Sequence, residues 1–260
     1  MSSETQPGNL YLIRTFSGFG NYVLFCVETF RRMFFPPVNM KLLFHHMEFV
    51  GVKSFGVIIL ASIMIGAVFG INFGSIMRIF GAESMVGAAA SFALSKELAP
   101  VIGSFLVTGR SGSAMAAEMA TMRVHEQIDA MKVMSVNPVG YLSSPRVLAS
   151  MIMMPLLCGF FIICGVLSCF LIGVMIFDVD VGIFIDKIKW ITKPHHIVQG
   201  LQKAMIFGAI FSTVGCYKGF YASGGARGVG RATTEAVVIS LVTILLSDFF
   251  ISYFQLESIF

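Results

Sequence analysis

Charge is what this chain has least of. Asp, Glu, Lys and Arg make up 12% of its 260 residues, about half the share a soluble domain uses to cover its surface. A water-soluble globular protein is thereby excluded. With 56% hydrophobic residues and a mean hydropathy of +0.84, the composition is that of a polytopic membrane protein. Basic runs are missing too, so the net charge of +4 gives no footprint for nucleic acid. Histidine is scarce, and His45-His46 and His195-His196 are adjacent pairs whose side chains leave a helix in different directions. The five cysteines (Cys26, Cys158, Cys164, Cys169 and Cys216) fall mostly in apolar runs without metal-ligand spacing. They read as small packing residues, and no metal site is expected. The first 50 residues hold scattered charges and no small-residue site after an apolar core, so a cleavable signal is not expected.

A nucleotide loop is also lacking. In "GGARGVGRAT" (224–233) Gly225 and Gly230 have phosphate-loop spacing. However, Arg231 stands where the lysine belongs, Ala232 replaces the Ser/Thr that would hold Mg²⁺, and no strand precedes it. The segment is expected to be a flexible turn, and the chain to bind no ATP, Mg²⁺ or other cofactor itself.

Long apolar runs, by contrast, are plentiful. A helix crosses the hydrocarbon core with about 20 apolar residues. Five stretches qualify: Ser54–Met77, about Met85–Thr108, Val147–Phe177, about Ile197–Tyr217 and about Ala236–Phe254. Pro155 is placed to bend the third. The region before them, 1–50, is too broken by charge to cross. Its "YLIRTFSGFGNYVLFCVETFRRMFF", stopped by Pro36-Pro37, reads as an amphipathic helix lying in the interface. The expected fold is all-α and polytopic: five transmembrane helices after an interfacial helix. With a cytoplasmic N-terminus, the inner side holds Arg14, Arg31, Arg32, Lys41, Lys53, Arg110, Arg123, Lys132, Arg146, Lys218, Arg227 and Arg231. The outer side then holds only Arg78, Lys187, Lys189 and Lys193. That bias orients the chain and puts the C-terminus outside.

Charge returns in two places. "AEMATMRVHEQIDAMKV" (117–133) interrupts the apolar sequence between the second and third spans. On one helix, Ala117, Ala120, Val124, Ile128 and Met131 share a face and His125, Glu126, Asp129 and Lys132 the other. Asn137-Pro138 ends it, and Pro145 opens the third span. A short amphipathic helix follows, serving either as a contact surface for a soluble partner or as a loop helix without one. Inside the spans, Lys96-Glu97, Lys203 and Asp248 are costly in hydrocarbon and must pair or face a cavity. Lys96 and Glu97, being adjacent, point about 100° apart. Asp248 reaching Lys96 is one pairing, and a cavity lined by these groups the other reading.

"KELAPVIGSFLVTGRSGSAMAAEMATMRVHEQIDAMKVM", followed by "NPVGYLSSPRVLASMIMMPLL" and the late "GVGRATTEAVV…SDFF", resembles the MlaE family of permeases. These are the membrane subunits of bacterial ABC transporters that move phospholipid between inner and outer membranes and keep the outer membrane asymmetric. The resemblance spans essentially the whole chain. It implies a multi-pass protein of the inner membrane, with a permease domain over 51–260, acting as a homodimer. Two cytoplasmic ATPases (MlaF type) would supply ATP hydrolysis, each with a STAS-domain protein (MlaB type). A periplasmic MCE-domain hexamer (MlaD type) would sit over the dimer. The segment at about 115–136 would be the coupling helix, with Arg123, Glu126, Gln127, Asp129 and Lys132 at the ATPase. A lipid cavity would take Lys96, Glu97 and Asp248, with Val68, Ile71, Asn72 and Ser75 on its wall. Family members carry arginine where this chain has Lys96, and lysine lacks the planar fork that grips phosphate. On this reading the permease makes no covalent bond and is not an enzyme. The alternative is a proton-coupled secondary transporter using Glu97 and Asp248 without an ATPase. An intramembrane enzyme is disfavoured because all five histidines lie outside the spans.

Overall fold

Five charge-poor runs become five long helices, each longer than its apolar stretch because polar turns extend it at the ends. The computed structural model describes residues 7–34 and 39–257, and every regular element among them is helical. Helix α1 is Pro7–Phe34. The span-forming helices are α2 (Met40–Ile79), α3 (Glu83–Val124) and α5 (Val139–Met175), with α7 (Pro194–Phe220) and α8 (Gly225–Glu257). Between them lie the short helices α4 (Gln127–Val133) and α6 (Val181–Ile191). All five long helices are long and apolar enough to cross a membrane.

Small residues let these helices approach, since apolar side chains gain nothing by leaving lipid for one another. Helix α2 buries Ser62, Gly66, Gly70 and Gly74, one residue per turn, against α5. A Cβ on Gly66 would collide with the Gly165 carbonyl, and Ser168 Oγ donates to the Ile63 carbonyl at 2.7 Å. The core fills with Leu94, Met154, Phe161, Phe207, Phe211 and Ile244. Pro155 lies inside α5, whose helix continues through it.

Helix α1 is amphipathic, as expected. Phe25 and Thr29 are buried while Leu24, Val27 and Phe34 are exposed. Among the described residues four bonds fasten it: Tyr22 Oη to Thr213 Oγ1 at 2.9 Å, Asn137 Nδ2 to Glu28 Oε1 at 2.7 Å, Ser144 Oγ to the Thr29 carbonyl at 3.0 Å, and Tyr217 Oη to the Gly18 carbonyl at 3.3 Å. The Pro36-Pro37 stop lies outside the described residues.

Three expectations need correction. The helix carrying the first span begins at Met40, inside the segment 1–50 expected to lie flat. The 224–233 segment is not a loop, because α8 starts at Gly225. Gly224 and Gly225, both at positive φ, make the turn in so little chain that helix follows at once. Arg231 and Glu235 then pair one turn apart at 2.7 Å. The 117–133 segment is not one helix either: α3 runs to Val124 and α4 starts at Gln127. Glu126 at φ 58° breaks it, and the turn brings Ile128 into a buried cluster with Met119, Phe25 and Phe220.

Candidate functional site

A buried ammonium needs partners for three N–H donors, and Lys203 has three. Its side chain is 0% exposed, yet Nζ lies 2.6 Å from Glu97 Oε2, 2.7 Å from Ser252 Oγ and 2.9 Å from Asp248 Oδ1. The Glu97 and Asp248 contacts are ion pairs by distance, and those to Glu97 and Ser252 are hydrogen bonds. Ser252 Oγ also sits 3.3 Å from Glu97 Oε2. Three spans supply these groups: α3, α7 and α8. Lys203 is nine residues into α7, and Asp248 nine from the end of α8. At 1.5 Å per residue both lie ~13 Å from the same end of the bundle.

Local backbone brings them together. Residues Leu94–Leu98 of α3 form a π-helical turn, a widening that recurs at functional sites in helices. It stands just ahead of Pro100, which has no N–H to give to the turn before it. Gly200 of α7 then sits so close that a Cβ there would overlap the Ser95 carbonyl. This close approach carries Lys203 up to Glu97.

Asp248 therefore does not reach Lys96, because Lys203 takes both carboxylates. The adjacent side chains diverge as their 100° separation requires. Glu97 turns to α7 and α8. Lys96, 9% exposed, has its Nζ 5.7 Å from the centre of the Phe92 ring. Among the described residues no carboxylate lies within ion-pair distance of Lys96. Val68, Ile71, Asn72 and Ser75 are not gathered here. All four are exposed on α2, away from the glycine stripe that meets α5. Lys203 is the residue that sequence reasoning counted but left out of the site. The signal was available for one pair: Lys203 and Asp248 each stand nine residues from a helix end on the same side.

At the opposite end of the bundle, the α3–α4 turn presents the other candidate surface. Arg123 Nη1 holds both oxygens of Asp129, at 2.5 and 2.6 Å, and Lys132 Nζ adds a contact at 3.2 Å. The bond from Arg123 above all, then that from Lys132, holds the Asp129 carboxyl below its ordinary value. Lys132 also stands 5.7 Å over the Phe220 ring. Arg123, Asp129 and Lys132 thus bond among themselves, whereas Glu126 and Gln127 are exposed. Beside them Val133 is 87% and Met134 66% exposed, an apolar edge outside the spans. Glu118 on α3 forms an ion pair with the buried Arg146 of α5 at 2.8 Å, so the end of α3 is tied to the third span.

The sequence profile of the MlaE permeases matches residues 43–254. A probable ABC transporter permease protein of Rickettsia felis is 37% identical over 233 residues, covering 90% of each chain. One of Synechocystis is 35% identical over 220 residues, 85% of this chain and 84% of its own. The chloroplastic protein trigalactosyldiacylglycerol 1 of Arabidopsis thaliana is 40% identical over 208 residues, 80% of this chain and 59% of its own. The chain belongs to the MlaE permease family, and it is a multi-pass membrane permease.

Proposed function

We propose that this permease is the membrane subunit of an ATP-driven transporter that moves phospholipid between the inner and outer membranes and so maintains outer-membrane asymmetry. The observation that carries the reading is Lys96: a buried cation without a counter-ion among the described residues, one position from a cluster whose own cation, Lys203, is held by two carboxylates. A phosphate headgroup would supply the missing anion, since an unpaired charge at membrane depth is costly. Glu97, Asp248 and Lys203 would line the same cavity and hold its polar wall in place. The Arabidopsis relative is named for a galactolipid, which supports a lipid substrate. Val68, Ile71, Asn72 and Ser75, exposed within one chain, would complete the wall in a homodimer.

Energy would come from a cytoplasmic ATPase of the MlaF type, seated on the α3–α4 turn at Glu126, Gln127 and the Val133–Met134 edge. The Arg123–Asp129–Lys132 clasp would keep that turn rigid enough to transmit a push, and Glu118–Arg146 would pass it to α5. A STAS-domain protein bound to the ATPase and a periplasmic MCE hexamer would complete the assembly in the bacterial inner membrane, the N-terminus inside and the C-terminus outside.

The test is ATP-dependent transfer of fluorescent phospholipid from proteoliposomes holding the permease and its ATPase. Lys96→Ala is expected to lower transfer and co-purified phospholipid together, and Glu126→Lys to release the ATPase. Transfer that runs on a proton gradient without nucleotide would replace this reading by proton coupling through Glu97 and Asp248.

A further inference from the structure

We propose a second lipid site, on the flank of the bundle at its α6 end. One acyl chain of a phospholipid from that leaflet lies in a groove there, with its ester at Ser95 and its phosphate at Lys189 and Lys193. The groove has a volume of about 480 Å³; Ser95 of α3 and Ile162, Val166 and Phe170 of α5 wall it, and Phe184 and Ile188 of α6 roof it. No residue of the Glu97–Lys203–Asp248 cluster lines it, and it needs no ATPase.

The groove is preformed. Phe184, 0% exposed, fills notches left by Gly87 and Gly173, where any Cβ would collide with its ring. Phe170 meets that ring edge-on at 5.3 Å between centroids. Beyond the end of α6, Thr192 Oγ1 is bonded to Ser91 Oγ at 2.6 Å, which pins the roof to α3.

Its size and polar ends select the occupant. A helix with side chains, 10–12 Å across, fills roughly 400–600 Å³ per turn, so the groove admits about one turn of protein. A slim hydrocarbon chain fits better. The Ser95 hydroxyl is buried at 1% exposure and has no hydrogen-bond partner among the described residues. It lies one helical turn, ~6 Å, deeper than the Ser91–Thr192 pair at the mouth. Lys193 follows Thr192, and Lys189 adjoins Ile188. Both lysines are exposed, and among the described residues neither has a carboxylate within ion-pair distance. A phosphate at the lysines and an ester carbonyl a few ångströms deeper match the layout of a phospholipid. Tails gain nothing by leaving lipid for an apolar groove. Residence therefore depends on the polar contacts, and these are what to perturb.

The experiment uses the full-length chain in nanodiscs containing phosphatidylglycerol with a diazirine in one acyl chain. After irradiation, adducts are mapped by mass spectrometry. Labelling is expected to concentrate at Ile162, Val166 and Ile188 over Ile152 and Leu156, exposed positions of α5 outside the groove. Val166→Phe removes the excess by filling the groove. Lys189→Glu with Lys193→Glu, both on the surface and harmless to packing, lowers it about tenfold and leaves Ile152 and Leu156 unchanged. Equal labelling of the groove and of Ile152 and Leu156 overturns the proposal. So does an excess that survives the lysine pair, or capture of a partner helix in place of lipid.

Discussion

Lys203→Met is the sharpest test of the buried cluster. The substitution removes the ammonium and keeps most of the apolar stem. Glu97 Oε2 and Asp248 Oδ1, at 2.6 and 2.9 Å from the same Nζ, are left facing one another. At an effective dielectric of about 20, like charges ~5 Å apart repel by about 3 kcal/mol. Removing one partner of a buried ion pair costs about 3–5 kcal/mol in all. That corresponds to a fall in Tm on the order of 10 °C for a chain of this size.

The assay is thermal unfolding of the purified chain in detergent, followed by circular dichroism. A further result follows from the same reasoning. Adding Glu97→Gln and Asp248→Asn restores most of the lost Tm, because an uncharged cluster carries no desolvation cost. A single variant within about 2 °C of wild type, or a triple variant no better than the single, would refute a structural role for the triad.

Gly200→Ala drives a Cβ into the Ser95 carbonyl and should cost about 1–3 kcal/mol of strain, with Lys203→Met adding less on top of it than alone; a double-mutant cycle in Tm checks this. Tyr22→Phe removes the bond to Thr213 and about 1 kcal/mol, seen as faster hydrogen exchange in α1. Glu126→Gly relieves a residue at φ 58° and should leave Tm unchanged or higher while weakening capture of the ATPase. The clasp at Asp129 has a pH signature. Its carboxyl is held below the ordinary aspartate value, so the clasp is intact above that value and lost as pH falls through the lower folded one. Protection of the 123–133 amides, taken against the intrinsic exchange rate at each pH, should therefore be high at pH 5 and fall in strong acid, and be low at every pH in Asp129→Asn.

How much of this could be read beforehand depends on whether the controlling force is local. Crossing a membrane is: twenty apolar residues suffice, so five spans and the amphipathic α1 stand plainly in the sequence. Breaks in helices are less so. Val124-His125-Glu126-Gln127 contains no glycine or proline, and its periodicity favours one continuous helix. The turn exists because burying Ile128 against Met119, Phe25 and Phe220 outweighs ~1–2 kcal/mol for a left-handed glutamate. Such a trade is visible only once the distant partners are in place. The opposite held for "GGARGVGRAT", where glycines suggested a loop. Only two of them are needed for the turn, and the Arg231–Glu235 pair supports the helix that follows. The buried cluster lies between these cases. Lys203 and Asp248 are 45 residues apart, and no spacing rule connects them. Counted from one membrane face, however, both stand nine residues from a helix end, and opposite charges at one depth in hydrocarbon have almost no choice but to meet. Glu97, 14 residues into α3, joins them through the π turn and the close Gly200 contact. Depth, not separation along the chain, is the coordinate in which a membrane protein's polar contacts become predictable. Applied once more, it sets Ser95 apart: a buried hydroxyl beside the cluster's own helix turn, facing a groove instead of a partner.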